Sequence, residues 1–156
     1  MIVYQKYIPK KLKFKKIHKQ IYRLKGFYFS RFLYKQNPFI FCKIKTVRRL
    51  LPHHFESFRR VIKRAVKRYA QFSFYSMCDL PITTKKSGVR MGKGKAAVEN
   101  WCFSPKIGFI FSSLSTSNYK SSFFSCSKAI KKLPLKIKIV RNKFYIFKKN
   151  LTNCIE

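Results

Sequence analysis

Pro52-His53-His54-Phe55-Glu56-Ser57-Phe58-Arg59-Arg60-Val61-Ile62-Lys63-Arg64-Ala65-Val66-Lys67-Arg68-Tyr69-Ala70 divides cleanly into two faces. Projected at about 100° per residue, Phe55, Phe58, Val61, Ile62, Ala65, Val66 and Tyr69 fall within one arc. Arg59, Arg60, Lys63, Arg64, Lys67 and Arg68 fall opposite. Pro52 suits a first helical turn, where its missing N–H costs nothing. Glu56 complements the positive end of the helix dipole. The spacing predicts a helix from Pro52 to Ala70 with one apolar face and one cationic face.

Around it the period falls to two, as expected of half-buried strands. Phe39-Ile40-Phe41 and Lys43-Ile44-Lys45 precede the helix, with Asn37-Pro38 as a turn between them and the earlier Phe27-Tyr28-Phe29. Gln71 to Cys78 alternates and is stopped at Asp79-Leu80-Pro81. Trp101-Cys102-Phe103 and Ile107 to Phe111 are two further strands, joined at Ser104-Pro105-Lys106. Ser112 to Lys132 opens rich in Ser and Thr, then forms a second helix with Phe123, Cys126, Ile130 and Leu133 on one side. Pro134 ends it, and Leu135 to Val140 is a last strand.

Charge decides the class of partner. The 156 residues carry 37 Lys and Arg against 4 acids, a formal charge of +33. A solvated face laced with salt bridges would need carboxylates that this chain lacks, so a polyanion must supply the countercharge. Seventeen Phe and nine Tyr provide apolar mass for a core, unlike a disordered basic tail. No run approaches the roughly 20 apolar residues of a membrane span. A cationic membrane-surface protein using the 52–70 helix is the rival reading, although the apolar face lacks a tryptophan anchor.

Three basic elements point to nucleic acid. An N-terminal arm, residues 1–25, places Lys10, Lys11, Lys13, Lys15, Lys16, His18 and Lys19 in a segment free of acids. The helix offers its six cations. Between Thr83 and Trp101, Arg90-Met91-Gly92-Lys93-Gly94-Lys95 alternates charge with glycine. Glycine lets the backbone approach a phosphate surface closely. No sequence-reading consensus is present, so backbone and shape recognition of structured RNA is the expected mode.

Enzymatic readings fail on their chemistry. Gly92 to Ala97 fits a dinucleotide-binding glycine pattern, but no hydrophobic strand leads into it and no acid follows about 20 residues on. The loop also lacks the glycine and Lys-Ser/Thr spacing of a phosphate-binding Walker loop. Glu56, Asp79 and Glu99 are isolated from one another, and His53-His54 has no partner for a triad. No catalytic residue, metal site or cofactor is expected. Cysteines at 42, 78, 102, 126 and 154 are too widely spaced for a zinc knuckle or redox pair and are expected as buried, reduced thiols.

Four blocks resemble one family, the bacterial-type large-subunit ribosomal protein 16. They are Pro9 to Lys19, Glu56 to Arg68, Pro81 to Lys86 with Val89 to Lys95 and Glu99-Asn100-Trp101, and Lys132 to Lys136. The resemblance implies an α+β domain over residues 26–141, with two helices packed on a mixed, largely antiparallel sheet. It also implies rRNA contacts for the arm and helix cations. The loop would approach the A-site tRNA and the peptidyl transferase region, among neighbouring ribosomal proteins. Residues 142–156 extend past the usual end, and aromatics at 27–41 replace the family's glycine-rich segment. Abundant Phe, Tyr, Ile, Lys and Asn suggest AT-rich coding. With no import leader in view, an organelle-encoded protein is expected, mitochondrial first and plastid as alternative.

Overall fold

The computed structural model describes residues 7–9, 11, 16–17, 40–67, 70–92, 94–116 and 119–141. In chain order these form β1 (Ile40–Ile44), α1 (Pro52–Val66), β2 (Ala70–Phe74), β3 (Leu80–Thr83), β4 (Val98–Cys102), β5 (Ile110–Thr116), α2 (Tyr119–Ile130) and β6 (Ile137–Arg141). A four-stranded sheet has the order β2-β5-β1-β6, and β3 with β4 makes a separate two-stranded ribbon. Every pairing among these strands is antiparallel. Two helices with this sheet make the expected α+β fold. The Phe27-Tyr28-Phe29 strand, most of the arm and the 142–156 extension lie outside the described residues.

β1 sits inside the sheet because its sequence can be buried. Ile40, Cys42 and Ile44 reach the core, Phe41 is also buried, and only Lys43 is exposed. Ile40 faces Leu114 of β5 and Arg141 of β6, and the β5 register slips between Cys42 and Lys43. The two short runs expected around Phe41 and Ile44 are therefore one strand.

α1 begins at Pro52 as expected, but its cap is unusual. Leu51 has no side-chain acceptor, so the Leu51 N–H donates to His54 Nδ1 (3.0 Å) while the His54 N–H donates to the Leu51 carbonyl (3.0 Å). Histidine takes the place that Glu or Gln fills in a capping box. The helix stops at Val66, not Ala70. Lys67 adopts φ +51°, its N–H still bound to the Lys63 carbonyl, and the chain turns to start β2 at Ala70. Phe55, Phe58, Ile62 and Val66 are buried, whereas Ala65 is exposed. The buried arc is rotated toward Glu56, because Tyr7 covers that side of the helix and joins the core.

Aromatic rings bind α1 to the sheet. Phe55 lies 5.1 Å from Phe111, 5.3 Å from Phe74 and 5.4 Å from Tyr7, ring centre to ring centre. Phe58 lies 5.4 Å from Phe111. Such tilted and edge-on pairs add about 0.5–1.5 kcal/mol each beyond their area.

α2 packs against α1 and over β5, β1 and β6. It reverses part of the expected arc. Ser122, Ser125, Cys126 and Ala129 are buried, and Phe123 is exposed. Small side chains let the two helices approach closely, and a phenylalanine would hold them apart. The Ser/Thr run at 112–116 continues β5, since Ser112 and Ser113 face β1 and β2 in the middle of the sheet. Ser113 Oγ is 2.6 Å from the Tyr75 hydroxyl, which satisfies its buried polarity. Cys42, Cys78, Cys102 and Cys126 are free and buried, as expected.

Candidate nucleic-acid interface

The glycine loop is the tip of a hairpin that periodicity did not reveal. Leu80-Pro81-Ile82-Thr83 forms a strand, where a stop was expected, and pairs with Val98 to Cys102 from Leu80–Cys102 to Thr83–Val98. An isolated bridge between Leu50 and Phe103, with N–H···O distances of 2.8 and 2.7 Å in the two directions, ties the ribbon to the entrance of α1. The loop at 84–97 is therefore projected from two paired strands.

Within it, Gly92 has φ +106° and Gly94 φ +75°, with open space where a Cβ would stand. Conformation, not crowding, selects glycine here. Lys85 Nζ donates to the Gly92 carbonyl at 2.9 Å, and Thr84 Oγ1 donates to Glu99 Oε2. These contacts brace the two sides of a cavity of about 590 Å³, lined by Lys86, Val89 and Ala96 among others. Arg90 is exposed, and Met91 is 98% exposed at the tip. Lys93 lies outside the described residues.

The arm meets this loop. Lys16 Nζ donates to the Lys95 carbonyl at 3.1 Å, and Lys95 Nζ donates to the Ile17 carbonyl. Two elements about eighty positions apart thus share one cationic surface; Lys11 of the arm is also exposed. Lys10, Lys13, Lys15, His18 and Lys19 lie outside the described residues.

On α1, Lys63, Arg64 and Lys67 are exposed, and Arg68 lies outside the described residues. Arg59 and Arg60 are less free than the wheel implied. Arg59 Nη2 and Arg60 Nε both donate to Glu56 Oε1, at 2.7 and 2.9 Å, and Arg59 Nε reaches Oε2 at 2.9 Å. Glu56 is therefore a buried anchor, where the sequence suggested a dipole partner. Those bonds, led by the one from Arg59, hold its carboxyl down at about 2. Arg60 keeps a side-chain exposure of 58%, so its unused N–H groups still face solvent.

Chemically this surface offers ammonium and guanidinium groups beside accessible backbone. Among the described residues no group of three or more His, Cys, Asp or Glu could hold a metal ion. No described helix is long and apolar enough to cross a membrane.

Comparison with known proteins converges on one family. The family model described as ribosomal protein L16p/L10e matches residues 9–140. The chain is 40% identical over 86 residues to the large ribosomal subunit protein uL16 of Corynebacterium diphtheriae, covering 55% of this chain and 62% of that protein. It is 34% identical over 92 residues to uL16 of Sphingopyxis alaskensis, covering 59% and 64% respectively. The chain thus spans less than two thirds of the length of these relatives.

Proposed function

This chain belongs to the ribosomal protein L16p/L10e family, and from that premise we propose that it is a structural constituent of a large ribosomal subunit. It binds large-subunit rRNA and sits among other ribosomal proteins. The hairpin loop, carrying Arg90, Met91, Gly92, Lys93, Gly94 and Lys95, helps position the A-site tRNA near the peptidyl transferase centre. The family is not one of enzymes, and the chain's part in translation is scaffolding and positioning.

One observation carries this reading: the Lys16–Lys95 contact joins arm and loop into a shared basic surface, in a chain with 37 cations and 4 acids. Phosphates are the ligands such a surface suits. Contacts of this kind fix register without reading bases, in keeping with a part that recognises RNA by shape.

We further assign the protein to an organellar ribosome, mitochondrial first with plastid as the alternative. The support is compositional, the weight of Phe, Tyr, Ile, Lys and Asn against only 5 Gly. Sedimentation of an epitope-tagged copy from fractionated organelles tests both statements. Co-migration with the large subunit in the mitochondrial fraction is expected. A copy that stays at the top of the gradient refutes the ribosomal role, and one in the plastid fraction refutes only the address.

A further inference from the structure

α2 is built inside out. Toward α1 and the sheet it presents Ser122, Ser125, Cys126 and Ala129, all buried, while Phe123 and Phe124 remain 44% and 60% exposed. Two phenylalanines left about half in water forgo part of the burial that normally draws such rings inward, so the fold alone gives no reason for them. They share the outer face with the exposed Lys128 and Lys131. Lys128 Nζ lies 4.3 Å from the centre of the Phe124 ring, and Tyr119 sits 6.0 Å from Phe123 with the Arg141 guanidinium over its own ring.

Aromatic faces interleaved with cations, and no acid on the helix, suit one ligand chemistry. Unpaired nucleobases stack on rings while neighbouring cations take the phosphates. A protein partner would bury the phenylalanines equally well. It would also have to neutralise this lysine cluster with acids, whereas RNA brings its charge with every residue. We propose that the outer face of α2 is a second RNA-binding surface, distinct from the loop and α1, on which Phe123 and Phe124 stack unpaired bases of single-stranded RNA. The proposal rests on the RNA-binding reading above and adds a different mode of contact to it.

The test titrates the full chain with a single-stranded oligoribonucleotide carrying a fluorescent adenine analogue, at raised salt where phosphate contacts weaken. A duplex RNA serves as control. Phe124→Tyr, which keeps the ring, should bind the single strand like the parent. Phe123→Leu and Phe124→Leu, which keep apolar area but lose the ring, should each weaken it by roughly five- to a hundred-fold, with duplex affinity unchanged. Single-strand affinity that is indifferent to leucine overturns the proposal while leaving the RNA-binding reading intact. Failure of the parent to bind either RNA overturns both. In assembled particles, ultraviolet cross-linking should attach a nucleotide to the tryptic peptide 121–128. Recovery of that peptide joined to a protein segment instead also overturns it.

Discussion

The Tyr7 hydroxyl donates to Glu56 Oε2 at 3.2 Å, joining the N-terminal segment to the second turn of α1 across 49 positions. The Cys78 N–H holds the same residue by its carbonyl at 2.8 Å. Glu56 is thereby shared among a phenol and two guanidiniums in a site where its side chain is 4% exposed. Removing Glu56 would orphan the buried Tyr7 hydroxyl, while the Arg59 and Arg60 guanidiniums, 36% and 58% exposed, could turn to water. Glu56→Ala should cost about 1–3 kcal/mol and Tyr7→Phe about 1 kcal/mol, measured by urea unfolding followed at Trp101.

Acid should expose the same cluster. The Glu56 carboxyl is held at about 2, below its unfolded value, so its stabilisation is present above the unfolded value of about 4.5 and lost as pH falls through about 2. The loss amounts to at most about 3 kcal/mol. Glu56→Gln should flatten the profile across that window. An unchanged acid limb in the variant would assign the acid sensitivity elsewhere.

The cap of α1 should respond to milder acid. Since His54 Nδ1 accepts from the Leu51 N–H, its Nε2 carries the proton and donates to His53 Nε2 at 3.2 Å. Burial, and then the neighbouring His53 charge, lower the His54 pKa. The folded state thus favours the neutral ring, and its contribution is lost as pH falls below about 6.5 and through the lower folded value. Amide protection at Leu51 and His54, taken relative to the intrinsic exchange rate at each pH, should fall on acidification, and His54→Gln, which can accept without titrating, should abolish the effect.

The four described thiols should be inert. Cys42, Cys78, Cys102 and Cys126 are each at most 2% exposed. Burial pushes Cys78 up to about 12 and raises Cys102, and a hydrogen bond to Cys42 together with burial raises Cys126; the same bond lowers Cys42, which burial alone shields. Thiolate is the reactive form. Alkylation of the native chain near neutral pH should leave all four unmodified, while denaturant should open them to reagent. Rapid labelling of any of them in the native chain would contradict the packing.

Reversing charge at the hairpin tip should separate assembly from function. Arg90→Glu with Lys93→Glu leaves the β3–β4 ribbon and the sheet untouched, so incorporation into the large subunit should persist. Accommodation of A-site tRNA should slow by an order of magnitude or so, as expected when phosphate contacts become repulsive. Unchanged translation by such subunits would remove the role assigned to the loop.

Much of the fold was legible because periodicity reports burial directly. The two faces of α1 in outline, and extended structure around Phe41 and Ile44, needed no tertiary information. What stayed hidden depended on partners distant in sequence. β3 contains Pro81 and is only half-buried, so nothing in Leu80 to Thr83 announced a strand before its pairing with β4 was seen. The serines of β5 look like loop residues until Tyr75 and the adjacent strands satisfy them. Phe123 reads as core by its spacing with Cys126, Ile130 and Leu133, whereas the close approach of α2 to α1 favours Ser122 and Ser125. For the interface, the cations of arm, helix and loop were evident from composition, and the meeting of Lys16 with Lys95 was not. Glu56 was visible as a lone acid, but only Tyr7 makes it an anchor.

The most direct measurement is the salt dependence of binding between the full chain and a helical fragment of large-subunit rRNA. If the excess cations meet phosphates along the arm, α1 and the loop, the logarithm of affinity should fall with the logarithm of salt with a slope of about −5 or steeper. That corresponds to six or more neutralised phosphates at roughly 0.9 each. A slope near −1 to −2, the signature of about one or two contacts, would contradict the account.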